Sequence, residues 1–124
     1  MKNLPKILPV FPLSNFIIFP KTTVPLNIFE PRYIDLISDS MKSNKLIGMI
    51  QPKQTNSNTA DPALHNIGCL GKITNFIETK DKRYLIEIKG LIRFEVIKEV
   101  KTPKKYREYE VDFKRFNHDL EEKK

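Results

Sequence analysis

The sequence predicts an α+β, β-rich fold: a curled sheet or small pseudo-barrel of about six strands with one main helix. Three observations predict it. Short apolar runs with period-two alternation recur along the chain, bounded by prolines, glycines and charged turns. One stretch only, about residues 31–43, changes to a 3.6-residue period. Six of the nine prolines precede residue 32, which makes the first strands short and fixes where they stop.

"ILPVFP", residues 7–12, alternates apolar residues with prolines and reads as an extended edge segment, because proline cannot donate to a ladder. "NFIIF", residues 15–19, reads as a short buried strand ended by Pro20. "TVPLNIF", residues 23–29, is a second strand in which Val24, Leu26 and Ile28 share one face; Pro25 confines it to an edge or a bulge.

Pro31 then stands where a first helical residue needs no N–H, with Glu30 before it. Tyr33, Ile34, Ile37 and Met41 form the apolar stripe, and Asp35, Ser38, Asp39 and Lys42 the opposite side. "LIGMIQP", residues 46–52, is a buried strand. Residues 53–66 are polar and turn-rich, a connection long enough to suggest a functional or mobile loop. "IGCLGKITNFIET" resumes strand character with a bulge expected at Gly71, and "TKDKR" has hairpin-turn length.

"YLIEIKGLIRFEVIKEV" is one bent strand or a pair, with Gly90 at the bend. In "YREYEVDFKRF", Tyr109, Val111 and Phe113 alternate with Glu110, Asp112 and Lys114. Residues 1–116 are expected to be the domain, and residues 117–124 a polar tail or the first turn of a helix cut short.

A chain of 124 residues suits one domain. Cys69 is the only cysteine, so no intramolecular disulfide or all-cysteine metal site can form, and its apolar neighbours mark it as a small buried hydrophobe. His65 and His118 lack ligand spacing for zinc. Prolines 5, 9 and 12 break any signal-peptide core, and no apolar run approaches spanning length, so a cytoplasmic protein is expected. The net charge of +7 is spread evenly: residues 1–62 carry 7 basic and 4 acidic groups, and residues 63–124 carry 15 and 11. The one local excess is "KEVKTPKKYR", residues 98–107.

With these elements in order, the opening segment "LPVFPLSNFIIFPKTTVPLNIFEPRYIDLI" resembles the start of the Lon substrate-binding domain, the N-terminal module of ATP-dependent Lon proteases. Pro12, Leu13, Phe19, Pro20, Pro25, Leu26, Ile28, Phe29, Glu30, Arg32 and Tyr33 match that family's opening pattern, while Lys21 stands where the family often has glycine. "IFEPRY" is similar to its stand-alone members. "IGMIQPK", "IGCLGKITNFIE" and "YLIEIKGLIRFEVIKE" resemble its later strands, with Gly90, Arg93 and Phe94 at matching places, so the likeness spans residues 7–115. It implies a PUA-like pseudo-barrel and no cofactor.

The catalytic modules of a complete Lon protease are not expected here. "GCLGKI" sets its two glycines too close for a P-loop and has Ile73 where the magnesium-binding hydroxyl belongs. No serine has a base in readable reach, so the chain is expected not to be an enzyme. The resemblance implies a polypeptide-recognition module that binds unfolded or damaged segments, usually to feed a protease; alone the chain is expected to act as a binder or as an adaptor to a protease, with self-association through the same sticky edge a further expectation. Phe11, Phe16, Phe19, Glu30, Arg32 and Tyr33 are its candidate contacts, flanked by the 53–66 loop. The alternative is RNA binding by the basic and aromatic set Lys101, Lys104, Lys105, Tyr106 and Arg107, around residues 98–109. That reading gains if these residues converge with Lys89 and Arg93.

Overall fold

A computed structural model of the chain describes residues 4–13, 19–51 and 66–120. The elements run β1 (Ile7–Pro12), β2 (Thr23–Ile28), α1 (Pro31–Met41), β3 (Leu46–Ile50), β4 (Ile67–Glu78), β5 (Tyr84–Val100), β6 (Arg107–Asp112) and a kinked 3₁₀ segment, Lys114–Leu120. The strands form one sheet in the order β2-β5-β4-β3-β1-β6, and β6 pairs again with β5. Five strands therefore close into a ring, the expected pseudo-barrel.

β5 makes the closure possible by its length. Its first half pairs with β2 and its last residues, Glu95 to Val100, pair with β6, so β2 and β6 share one edge of it end to end. The expected bend is a bulge: Leu70 faces Ile92 and Gly71 faces Gly90, which leaves Leu91 as the extra residue. At Gly68, a Cβ would come within 2.7 Å of the Phe94 ring and 2.6 Å of the Met49 carbonyl, so glycine is what lets Phe94 fill the ring.

Two clusters of side chains form the core. One draws on all five ring strands, through Leu8, Val10, Leu46, Ile50, Leu70, Ile92, Phe94 and Val111, and is the ring interior. The other lies between the ring wall and the helix and holds Ile28, Leu36, Ile37, Ile47, Met49 and Ile88. The helix begins as expected. Glu30 is extended (φ −73°, ψ 132°), and its carbonyl accepts from the amides of Tyr33 (3.0 Å) and Ile34 (2.9 Å).

The reading of residues 7–12 as an edge segment is corrected. β1 lies between β3 and β6 and pairs with both. Its prolines are tolerated because the two ladders are staggered. The Leu13 amide donates to Ile50 of β3, and the Lys6 carbonyl accepts from Val111 beside β6. By the period of two, residue 9 faces β3 and residue 12 faces β6. Pro9 thus stands one position before the β3 register begins at Val10, and Pro12 lies beyond the β6 register, which ends at Val10. Neither ladder loses a bond it would otherwise have. β2, by contrast, is at the edge that Pro25 demanded. The strand expected at residues 15–19, apart from Phe19, and the 53–66 loop, apart from Asn66, lie outside the described residues.

Candidate functional site

The outer face of β2, β5 and β4 is a patterned surface made of three cross-strand rows. Thr23, Lys89 and Lys72 form the first, Pro25, Glu87 and Asn75 the second, and Asn27, Leu85 and Ile77 the third. All nine side chains are exposed. In the middle row the Asn75 amide donates to the Glu87 carboxylate at 2.9 Å. In the third, Ile77 is 54% exposed and Leu85 41%, a large apolar area left to water. A shallow cavity of about 350 Å³ lies over the last two rows. Phe29, 63% exposed, stands just past the Asn27 end of β2, with the Arg83 guanidinium 5.9 Å from its ring centroid.

The candidate contact residues of the opening are not gathered in one place. Phe19 is 56% exposed at the other end of β2, in a turn where the Thr22 hydroxyl donates to its carbonyl at 2.6 Å. Phe11 and Tyr33 are half-buried and face each other, ring centroids 4.5 Å apart, against the helix-side core. Glu30 is exposed at the helix start. Phe16 lies outside the described residues.

Arg32 joins the other candidate set. A groove of about 440 Å³ is lined by Arg32, Glu99, Lys101, Lys104, Lys105 and Arg107, beside Tyr106. Most of its charge is balanced locally. Lys104 pairs with Glu108 (3.7 Å), Lys105 with Asp35 (3.7 Å) and Arg107 with Glu99 (3.2 Å). Tyr106 is 3% exposed, so its ring offers no stacking platform. Its hydroxyl donates to the Asp39 carboxylate at 2.5 Å, and burial together with that acid raises its pKa. Lys89 and Arg93 do not converge on this groove: Lys89 belongs to the patterned sheet face, and Arg93 is bound to Asp119.

The Arg93–Asp119 pair was not visible in the sequence, where residues 117–124 read as polar. The Asp119 carboxylate accepts from the Arg93 backbone amide (3.0 Å), Nε (2.9 Å) and a terminal guanidinium nitrogen (2.7 Å), and its side chain is only 6% exposed. The Arg93 hydrogen bonds hold the Asp119 carboxyl below the usual carboxylate range. Burial pushes the Cys69 thiol up to about 12, so it stays protonated and acts as a core residue. The apolar third row was also missed. Its signal is present: Phe76-Ile77 and Leu85-Ile86 put apolar residues on both parities of a strand, which a half-solvated sheet does not require.

A strand ring with one packed helix, and an edge strand beside an apolar row that no described residue covers, defines a β-rich α+β domain. The chain belongs to the family described as the ATP-dependent protease La (LON) substrate-binding domain, whose family model matches residues 7–124. It is 29% identical over 101 residues to a Lon protease of Dictyoglomus thermophilum and 32% identical over 98 residues to one of Flavobacterium johnsoniae. These alignments cover 82% and 77% of this chain but only 13% and 12% of the relatives' length. Among solved structures it is similar to a Lon N-terminal domain protein from Xanthomonas campestris, with a TM-score of 0.69 and 25% identity over 86% of this chain and 59% of that one. The N-terminal domain of the Mycobacterium avium complex Lon protease shares the fold, with a TM-score of 0.68 at 16% identity over 87% of this chain and 54% of that one.

Proposed function

We propose that this domain recognises segments of unfolded or damaged polypeptide and takes no part in bond cleavage itself. Membership of the LON substrate-binding family over residues 7–124 carries the reading. The exposed apolar groups Phe19, Phe29, Ile77 and Leu85 support it, since an unfolded client differs from a folded one chiefly in the apolar side chains and free backbone it presents. On this reading the domain works in the cytoplasm in protein quality control, as adaptor or recognition module for a protease. The groove around residues 99–107 favours no second reading, because three of its cations, Lys104, Lys105 and Arg107, already stand beside carboxylates.

The test is a titration of the purified chain with a fluorescent, permanently unfolded protein and with a single-stranded RNA, each at low and high salt. Saturable binding of the unfolded protein that persists at high salt is expected. RNA binding with a steep salt slope and no affinity for the unfolded protein overturns the proposal.

A further inference from the structure

We infer that the outer edge of β2 is where a client segment docks, and that it takes an extended segment with an acidic residue four positions from an apolar one. This rests on the polypeptide-recognition reading above and adds its place and its sequence preference.

The hydrogen-bonding direction of β2 follows from its neighbour. The Gly90 amide donates to the Thr22 carbonyl at 2.8 Å, so residue 22 faces β5. By the period of two, Val24, Leu26 and Ile28 face β5 as well, and Thr23, Pro25 and Asn27 face outward. Among the described residues no strand pairs on that side. The edge thus presents the amides of Thr23 and Asn27 and the carbonyls of all three residues. Donors and acceptors spaced along a pleat are matched by another extended backbone, not by a helix or a small molecule.

Both faces of the edge want a neighbour. On the helix side, Val24 and Leu26 are half-buried at the rim of the core, and side chains of an added strand would complete their burial. On the outer side, Lys89 lies beside Thr23 and Lys72 one strand further in, and among the described residues neither has an ion-pair partner. Leu85 lies beside Asn27, with Ile77 one strand further in. A segment in register therefore puts an acidic side chain opposite Thr23, at the outer end of the lysine row and nearest Lys89, and an apolar one opposite Asn27, at the outer end of the leucine–isoleucine row and nearest Leu85. Residues opposite Thr23 and Asn27 are four positions apart on one face. A second copy of this chain fits less well: two β2 edges in antiparallel array would set each lysine row against the other's apolar row.

The test uses fluorescence anisotropy of the full chain with two peptides of equal composition. One carries Asp and Phe four positions apart; the other carries them three apart, on opposite faces. The first is expected to bind at least about tenfold more tightly. Asn27→Pro, which removes an outward amide at an exposed position, should erase that advantage. The double variant Lys72→Glu with Lys89→Glu should prefer a peptide with Lys in place of Asp. Equal affinities for the two peptides, or binding untouched by Asn27→Pro in a natively folded variant, overturn the inference. If that variant does not fold, the charge reversal decides, and an unaltered preference overturns it. A dimer of the chain that Asn27→Pro dissolves would put a second copy on the edge and also overturn it. Unfolded-protein binding that survives Asn27→Pro removes the edge but leaves the domain's proposed function standing, whereas wild-type protein that binds no unfolded chain removes both.

Discussion

Arg93 and Arg107 are built alike and held differently. Each reaches a carboxylate through two guanidinium nitrogens, and each lies over an aromatic ring, Arg93 4.6 Å from the centroid of Phe116 and Arg107 5.3 Å from that of Tyr109. The acids differ. Asp119 is 6% exposed and takes bonds of 2.7 to 3.0 Å, one of them from a backbone amide, whereas Glu99 is 49% exposed and its bonds are 3.2 and 3.4 Å. An ion pair gains strength from a shielded, multiply bonded carboxylate rather than from the cation. The first pair fastens the 3₁₀ segment to the ring, and the second balances charge at the mouth of a groove.

Removing the better-held acid should have the largest effect. Asp119→Ala is expected to cost about 2 kcal/mol, kept at that level because Arg93 is 39% exposed and regains water. This would appear as a fall in Tm of about 8 °C. The same carboxylate sets an acid limit. Its folded pKa is lowered, so its contribution is fully present above the unfolded value of about 3.9 and is lost as pH falls through the folded value. The stability advantage of the wild type over Asp119→Asn, followed by denaturant titration, should be constant near neutrality and shrink below about pH 4. A neutral donor to a single oxygen is the intermediate case. Tyr106→Phe removes the hydroxyl bonded to Asp39 and should cost about 1 kcal/mol in urea unfolding. Glu99→Gln is expected to change stability by less than about 0.5 kcal/mol, and added salt should erase even that. If Glu99→Gln proves as costly as Asp119→Ala, shielding of the acid is not what separates the two pairs.

The fold was largely legible because parity is a local property. Ile86, Ile88, Ile92 and Phe94 are buried as their alternation requires, and the helix starts at Pro31 for the reason its fixed φ provides. Closure of the ring was not legible, since Glu95–Val100 and Glu108–Asp112 carry no mark of being partners. The placement of β1 inside the sheet was hidden for a subtler reason. Proline excludes a bond only on the side its nitrogen faces, and a sequence does not say which side has a ladder. Tyr106 reads as a surface aromatic among lysines, yet its tertiary contact is with Asp39, 67 residues earlier. The grouping of Arg32 with the 99–107 groove is equally long-range. Conversely, the third row of the sheet face could have been found, because adjacent apolar residues at 76–77 and 85–86 break a strict alternation.

β3 is buried along its whole length, and its residues alternate between the two cores, Leu46 and Ile50 into the ring and Ile47 and Met49 toward the helix. It is one wall with two rooms behind it. Neither cluster can melt while the other stays intact, because losing either takes away the strand that bounds both. The domain should therefore unfold in a single heat-absorption peak whose calorimetric and van't Hoff enthalpies agree, and the amides of "LIGMI" should open to solvent only in that one event.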